Sequence, residues 1–492
     1  MTWFRKFLIL THRYLGIVLS LVFVVWFISG IGIMYSKGMP SLTPQLRLER
    51  LPPIDLTRVS FTAAEAAQKA ALDPPGRVTL LTIMDRPAYR FGNGPTTVFA
   101  DTGEVLEEIG QAEALKVAAR FTGIPEEKLQ YALQTETNQW TIGQVRDFPV
   151  HKINVDDGAG TELYISPQSA EVVLLTTRGS RALAWVAAIP HWFYFKPLRT
   201  NGLLWRQVVI WSAGIGCVLA LAGILLGFTQ LKVVRPFQFS KISSYIPYSG
   251  WMRWHYITGF IFGILTFTWV FSGMLSMEPW GWASEGGLSD EVRDTLSGGD
   301  VDLASFPAMV PFAWQQLFPG GELKEVNFAR IQGGFYFVVR SNAPERVLVA
   351  ANPLQIRHEP FSMESIMTRV KQAYPDVPII EFELITEYDS YYRSQTGAAP
   401  LPALRVKFGD PDETWFYFDT KMSQLVTGYH RLDRVERWIY NGFHSLDFSF
   451  WYYNRRLWEV VVIVFSLGCL ASSGIGLYLG FKRVVRAMKI SV

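Results

Sequence analysis

Residues 12–30 read HRYLGIVLSLVFVVWFISG, and residues 255–273 read HYITGFIFGILTFTWVFSG. In both stretches a Gly follows the His by four positions, a Trp by fourteen, and a Ser-Gly pair by seventeen and eighteen. Beyond Arg13 neither stretch carries a charge, and each is about 20 residues long, the length of a membrane-crossing helix. Two matched spans that each begin with a histidine pose the question the rest of the chain has to answer.

Four segments run without charge: Tyr14 to Ser36, Gln207 to Thr229, Tyr256 to Met277, and Val460 to Phe481. As helices each can cross about 30 Å of hydrocarbon. Arg5, Lys6 and Arg13 precede the first in the manner of a signal peptide. Its apolar run exceeds the roughly 7–15 residues of a signal core and no small-x-small site follows, so it reads as an uncleaved anchor. Charged residues make up 18% of the 492 and hydrophobic residues 49%, against about 25% charged in soluble proteins. Net charge is +3, which does not suggest nucleic acid as a partner. Cys217 and Cys469 both lie in apolar runs, and no CxxC, CxxCH or zinc spacing occurs. That excludes a disulfide framework, covalent c-type haem and a cysteine-held iron–sulfur cluster.

Lys and Arg near the span ends set orientation. Arg5, Lys6 and Arg13 precede the first span. Lys232, Arg235, Lys241 and Arg253 lie between the second and third, and Lys482, Arg483, Arg486 and Lys489 follow the fourth. Four spans put all three groups on one side, expected to be the cytoplasm. The long segments between spans then lie outside. Each reads as two helix-plus-hairpin-sheet units. In the first, SFTAAEAAQKAAL starts a helix at Ser60, followed by strands in RVTLLTIM, AYRFG and TTVFADTGEVLEEI. A second helix in AEALKVAARFTG leads to strands in FPVHKINVDDGAGTELYISPQSAEVVLL. The second segment repeats the plan with GGFYFVVRS, RVLVAANPLQ, a helix in SMESIMTRVKQAYP, and strands in LPALRVKFGDPDETWFYFDTKMSQLVTGY. The run EYDSYYRS, Glu387 to Ser394, reads as a solvated loop, with a Tyr-rich binding loop as the alternative.

The return to the membrane is also matched. Arg181 and Arg434, Trp185 and Trp438, His191 and His444, Phe195 and Phe448, Asn201 and Asn454, and Trp205 and Trp458 all stand 253 positions apart. The first and third spans stand 243 apart, since His12 pairs with His255. A period near 250 predicts a duplicated two-span unit with an outer insert, its copies related by an axis along the membrane normal.

Of seven histidines, four fall at matched positions: His12 and His255 at the inner face, His191 and His444 at the outer. Imidazole ligates iron, and haem takes ligands on two axial faces. One imidazole from each of two helices would hold a b-type haem without a covalent link. Gly16 and Gly259, one turn past the histidines, remove side-chain bulk on the same face. Gly30 and Gly273 would clear space for the outer porphyrin. Trp26 and Trp269, about 21 Å along their helices from the histidines, fall near the outer site. Arg13, Arg253, Arg181 and Arg434 are candidates to pair haem propionates. Each feature alone has an ordinary reading: an interfacial histidine, an aromatic belt, a helix-packing glycine. The combination of one pair per face outweighs them, and two histidines per face are too few for zinc or copper. His151, His358 and His430 read as surface residues.

With these residues placed, the chain resembles the PepSY-associated transmembrane family. TTVFADTGEVLEEI looks like a PepSY strand and turn. HRYLG at His12 and HSLDF at His444 look like the family's helix-end histidine motifs, and HWFYF at His191 is a looser match. The resemblance implies a four-span protein of the bacterial inner membrane, both termini cytoplasmic, with two PepSY-like periplasmic α+β domains and two b-type haems. Some members are ferric-siderophore reductases.

The expected layout is residues 1–36 for the N-terminus and first span, 37–180 for the first periplasmic domain, and 181–231 for an interfacial helix and second span. Residues 232–254 form a cytoplasmic loop, 255–278 the third span, 279–433 the second periplasmic domain, 434–482 an interfacial helix and fourth span, and 483–492 the tail. The expected activity is electron transfer from a cytoplasmic reductase or quinol, through haems at His12/His255 and His191/His444, to a ferric siderophore or other ferric chelate. No GxGxxG unit is present to supply electrons from within the chain. Alternatives are a haem-bearing subunit of a periplasmic redox enzyme, a carrier of haem or a metal chelate, and a non-redox PepSY binding or regulatory protein. The absence of charge within the spans argues against an ion path.

Overall fold

The computed structural model describes residues 3–36, 38–72, 76–92, 96–231, 245–281, 288–343, 345–394 and 398–490. Lys232, Arg235 and Lys241 of the expected cytoplasmic loop lie outside the described residues. The chain divides into two compact units. One comprises Met1–Met39, Ser180–Ser284 and Arg431–Val492, the other Pro40–Gly179 and Glu285–His430.

The first unit holds four long helices, Trp3–Ser36, Gly202–Gln230, Gly250–Leu275 and Arg455–Ile490. All four are long and apolar enough to cross a membrane. The chain is a multi-pass membrane protein. The first helix has 34 residues, about 51 Å at 1.5 Å per residue, so it runs past the uncharged core into the basic flank at Arg5 and Lys6. Hydroxyls inside the spans are satisfied locally, as a dry environment demands. Ser29 donates to Val25 O at 2.6 Å, Ser272 to Thr268 O at 2.6 Å, and Thr266 to Phe262 O at 3.0 Å. The second and fourth helices start at matched asparagines: Asn201 accepts from the Leu204 N–H at 3.0 Å and Asn454 from that of Leu457 at 3.2 Å.

Around the bundle the first helix packs on the second and fourth, and the third packs on the same two. The centre is filled by Leu19, Phe23, Phe27, Ala213, Leu219, Trp269, Val270 and Cys469. At the end away from His12, short helices cap the bundle, including Ala188–Trp192 and Arg431–Glu436. The latter continues as a π-helical turn, Arg437–Gly442.

The second unit contains fifteen described strands. They are β1 Val78–Ile83, β2 Arg86–Phe91, β3 Thr97–Phe99, β4 Leu129–Gln134, β5 Val150–Val155, β6 Glu162–Ile165, β7 Val172–Thr176, β8 Glu325–Ile331, β9 Gly334–Arg340, β10 Val347–Ala351, β11 Leu354–Arg357, β12 Ile379–Ile385, β13 Ala403–Phe408, β14 Trp415–Asp419 and β15 Gln424–Tyr429. They form a seven-stranded sheet in the order β11-β10-β9-β8-β1-β2-β3 and two four-stranded sheets, β4-β5-β6-β7 and β12-β13-β14-β15. Helices Ala63–Lys69, Gln111–Thr122 and Met363–Ala373 contribute to the cores packed on these sheets.

Two separate outer domains were expected, but the two segments share one sheet. β1 pairs antiparallel with β8, from Val78↔Phe328 to Leu81↔Glu325. The reason lies in β1 itself. Val78, Leu80, Leu81 and Ile83 are all buried, and a strand apolar on both faces belongs in the middle of a sheet, with neighbours on both edges. Arg47 braces the seam by pairing with Glu171 at 2.7 Å and Glu325 at 2.5 Å. Smaller differences have local causes. The first outer helix is capped by Thr62 and not Ser60, because Thr62 and Glu65 form a reciprocal capping box. His151 is buried, with Nε2 against Ile109 O at 2.9 Å and Nδ1 against the Tyr131 hydroxyl at 3.0 Å. In EYDSYYRS, Tyr388, Tyr391 and Tyr392 pack with Tyr417 and Tyr429 in a small aromatic core, with Tyr392 1% exposed.

Candidate functional site

The first unit brings the four matched histidines together as two pairs. The ring centres of His12 and His255 are 6.0 Å apart, and those of His191 and His444 are 6.3 Å apart. Two imidazoles bound to one metal atom through bonds of about 2 Å, with roughly 1.1 Å from nitrogen to ring centre, give about 6.2 Å between centres.

Each ring is held the same way. His12 Nδ1 lies 3.2 Å from Leu219 O, and His255 Nδ1 lies 3.0 Å from Ser472 O. His191 Nδ1 lies 3.2 Å from Trp26 O and 3.1 Å from Ser29 Oγ. His444 Nδ1 lies 3.1 Å from Trp269 O and 3.0 Å from Ser272 Oγ. A carbonyl only accepts, so each Nδ1 carries the proton and each Nε2 keeps its lone pair. Among the described residues no hydrogen bond engages any of the four Nε2 atoms. Anchoring one nitrogen on a backbone carbonyl and presenting the other is how ligating histidines are oriented. His191 and His444 are also kept neutral: burial above all, with His444 adding to the effect on His191, lowers both pKa values to about 4.

A helical carbonyl already bonded within its helix is reached from outside only where the next turn leaves room. The side chain four residues on leans back over that carbonyl. In all four cases that residue is glycine: Gly223 after Leu219, Gly476 after Ser472, Gly30 after Trp26, Gly273 after Trp269. A Cβ on Gly223 would stand 2.8 Å from His12 Cε1, on Gly476 3.1 Å from His255 Cε1, on Gly30 3.3 Å from His191 Cε1, and on Gly273 3.5 Å from His444 Cε1. Gly30 and Gly273, expected to make room for a porphyrin, thus admit the imidazole rings themselves. Gly16 and Gly259 do not touch the histidines. Their faces meet Leu219 and Ser472 on the neighbouring helices, as helix-packing glycines do.

The His191–His444 pair lines a mainly apolar cavity of about 260 Å³. Trp26 and Trp269 line it too, as the spacing predicted, with Phe27, Val270 and Tyr440. Among the described residues the buried indole Nε1 atoms of Trp26 and Trp269 meet no hydrogen-bond partner. Tyr440 stacks on His444 at 5.1 Å. The backbone just past each histidine is pinned by a span tryptophan: Trp205 Nε1 donates to Trp192 O at 2.7 Å, and Trp458 Nε1 to Ser445 O at 2.8 Å.

Arg181 and Arg434, the candidates at this end, are not among the residues lining this cavity. Arg434 is buried, while Arg13, Arg181 and Arg253 are half-buried. Sequence reasoning passed over Gly223, Gly476, Ser29, Ser272 and Tyr440 as site residues. The two glycines carried a readable signal, since they too stand 253 positions apart. Of the remaining histidines, His358 is exposed. His430 lies with Asp410 and Asp412, but its Nδ1 meets the Thr414 hydroxyl at 2.8 Å, and Asp410 also accepts from Thr414, so the group braces the β13–β14 hairpin.

The sequence profile of the PepSY-associated TM region matches residues 9–483. The chain belongs to that family. The PepSY-associated region therefore takes in all four membrane-length helices, the second unit and both histidine pairs. No curated protein matches the chain.

Proposed function

We propose that this PepSY-associated protein holds two b-type haems, one between His12 and His255 and one between His191 and His444, and passes electrons across the bacterial inner membrane. The carrying observation is the pairing: two imidazole pairs at metal-bridging separation, each ring anchored through Nδ1 with Nε2 available. The equal offsets of histidines, accepting carbonyls, glycines and capping asparagines support a duplicated two-span unit. The basic residues at Arg5, Lys6, Arg13, Lys482, Arg483, Arg486 and Lys489 support cytoplasmic termini and periplasmic placement of the second unit.

Bound haem would supply a one-electron ferric–ferrous couple at each site. The protein's own residues do the rest. The carbonyls of Leu219, Ser472, Trp26 and Trp269 fix ring orientation and tautomer. Leu19, Phe23, Phe27 and Val270 exclude water from the bundle centre. Phe23, Phe27 and Trp269 make a run of ring contacts at 6.2 and 5.8 Å, which gives the space between the pairs a polarisable filling. The donor is a separate cytoplasmic reductase or quinol, and the acceptor a ferric siderophore or another ferric chelate. Hard oxygen ligands hold Fe(III) far better than Fe(II), so one electron loosens the metal.

The visible spectrum of the purified protein tests this. Six-coordinate b-type haem at about two per chain is the expected result, and dithionite-reduced protein should be reoxidised by ferric chelates. Colourless protein from haem-replete cells overturns the reading. Haem without reoxidation by any iron chelate moves the protein to the class of membrane subunits serving another periplasmic redox partner.

A further inference from the structure

The four histidine notches share one plan and differ at one position. Each consists of the accepting carbonyl at position i and the admitting glycine at i+4. The residue at i+3 is Ser29 and Ser272 at the His191–His444 pair, but Ala222 and Ile475 at the His12–His255 pair. We propose that this position sets the redox potentials of the two sites apart. Ser29 and Ser272 lower the potential of the His191–His444 site, and Ala222 and Ile475 leave the other site without that contribution. The proposal rests on the haem reading above and assigns two positioning residues within it.

The argument starts from where the serine protons are. Ser29 Oγ donates to Val25 O at 2.6 Å and Ser272 Oγ to Thr268 O at 2.6 Å. Each hydroxyl proton is thus spent along its own helix, so the oxygen faces its histidine as an acceptor. With Nε2 on a metal, Nδ1 is the protonated nitrogen, and its N–H is shared between two oxygens: Ser29 Oγ and Trp26 O for His191, Ser272 Oγ and Trp269 O for His444. Among the described residues His12 and His255 have one oxygen each, from Leu219 and Ser472. A hydroxyl that is donating accepts more strongly, because linked hydrogen bonds polarise one another. Ser29 is 1% and Ser272 0% exposed, so water does not dilute the effect. A second acceptor draws the Nδ1 proton outward and gives the ring more imidazolate character. A more basic ligand favours the ferric over the ferrous state. The couple gains or loses one electron, with no bond made or broken at the serine and the proton retained on Nδ1.

The test is a spectroelectrochemical titration of the full-length haem-loaded protein, resolving two one-electron couples. Ser29→Ala with Ser272→Ala should raise the midpoint of one couple and leave the other in place. Ser29→Thr with Ser272→Thr keeps the acceptor and should hold the wild-type value, which separates the hydrogen bond from a packing change. Ala222→Ser adds an acceptor beside His12 and should lower the second couple alone. Unmoved midpoints in the alanine variant with both haems retained overturn the proposal, as does a downward shift. Should the alanine variant lose its haem, Ala222→Ser decides at the other site, and an unmoved or raised midpoint there overturns it. Wild-type protein without haem refutes the parent reading instead, a result visible before any titration.

Discussion

Replacing Gly223 by Ala should empty one site and spare the other. The added Cβ would lie 2.8 Å from Cε1 and 3.1 Å from Nδ1 of His12, whereas carbon atoms settle about 3.5–4.0 Å apart. The ring must retreat by roughly 0.7 Å. Its Nδ1 contact to Leu219 O, already 3.2 Å, then passes the roughly 3.5 Å beyond which a hydrogen bond fails. Overpacking costs about 1–3 kcal/mol and the lost bond about 0.5–1.5 kcal/mol, together about 1.5–4.5 kcal/mol. At about 1.4 kcal/mol per decade that weakens haem retention roughly 10- to 1,000-fold. A pyridine haemochrome count should fall from two haems per chain to one. The haem that remains should disappear when His444→Ala is added. Gly474→Ala is the internal control. It lies two residues from Gly476, and a Cβ there meets nothing within 4 Å, so both haems should stay and the helix should gain up to about 1 kcal/mol. Full retention in Gly223→Ala, or selective loss of the His191–His444 haem, refutes the notch reasoning.

His12→Ala and His255→Ala should each remove the same haem, and His191→Ala and His444→Ala the other, by haem content and redox titration. Arg437 pairs with Asp447 at 3.0 Å with both side chains about 95% buried. Arg437→Met removes one half of that buried ion pair and should destabilise the turn carrying His444 by about 3–5 kcal/mol, read by thermal unfolding. Burial pushes the Glu171 carboxyl upward, but Arg90 and Arg47 outweigh it and hold the group below its ordinary 4.5. Its stabilising contribution is therefore present above about pH 4.5 and lost as pH falls through the lowered folded-state value. Glu171→Gln should flatten the acid limb of thermal stability between pH 6 and 3.

The spans and the matched histidines were legible because both are read from spacing along the sequence. Length and lack of charge mark the spans, and duplication aligns His12 with His255 and His191 with His444. The notches were harder. Gly223 matters to His12 because two helices face each other at one azimuth, and no periodicity within either helix reports that. The same limit hid Ser29 and Ser272, which read as ordinary small residues until their partners were placed. The β1–β8 seam was missed for a different reason. β1 was recognised as a strand, but a strand apolar on both faces demands a second neighbour without saying which of the other strands supplies it. His151 reads as polar in a strand, and only the Ile109 carbonyl and Tyr131 hydroxyl make its burial affordable.

The seam also has a consequence in time. Val78 pairs with Phe328, 250 positions later. At about 5–20 residues per second of synthesis, β8 follows β1 by roughly 12–50 s. For that interval β1 has a buried-type sequence and one bare edge, the condition under which strands recruit foreign partners. A nascent chain halted after the first half therefore carries an unfinished sheet. Completion of that sheet is a built-in report that the second half has been made.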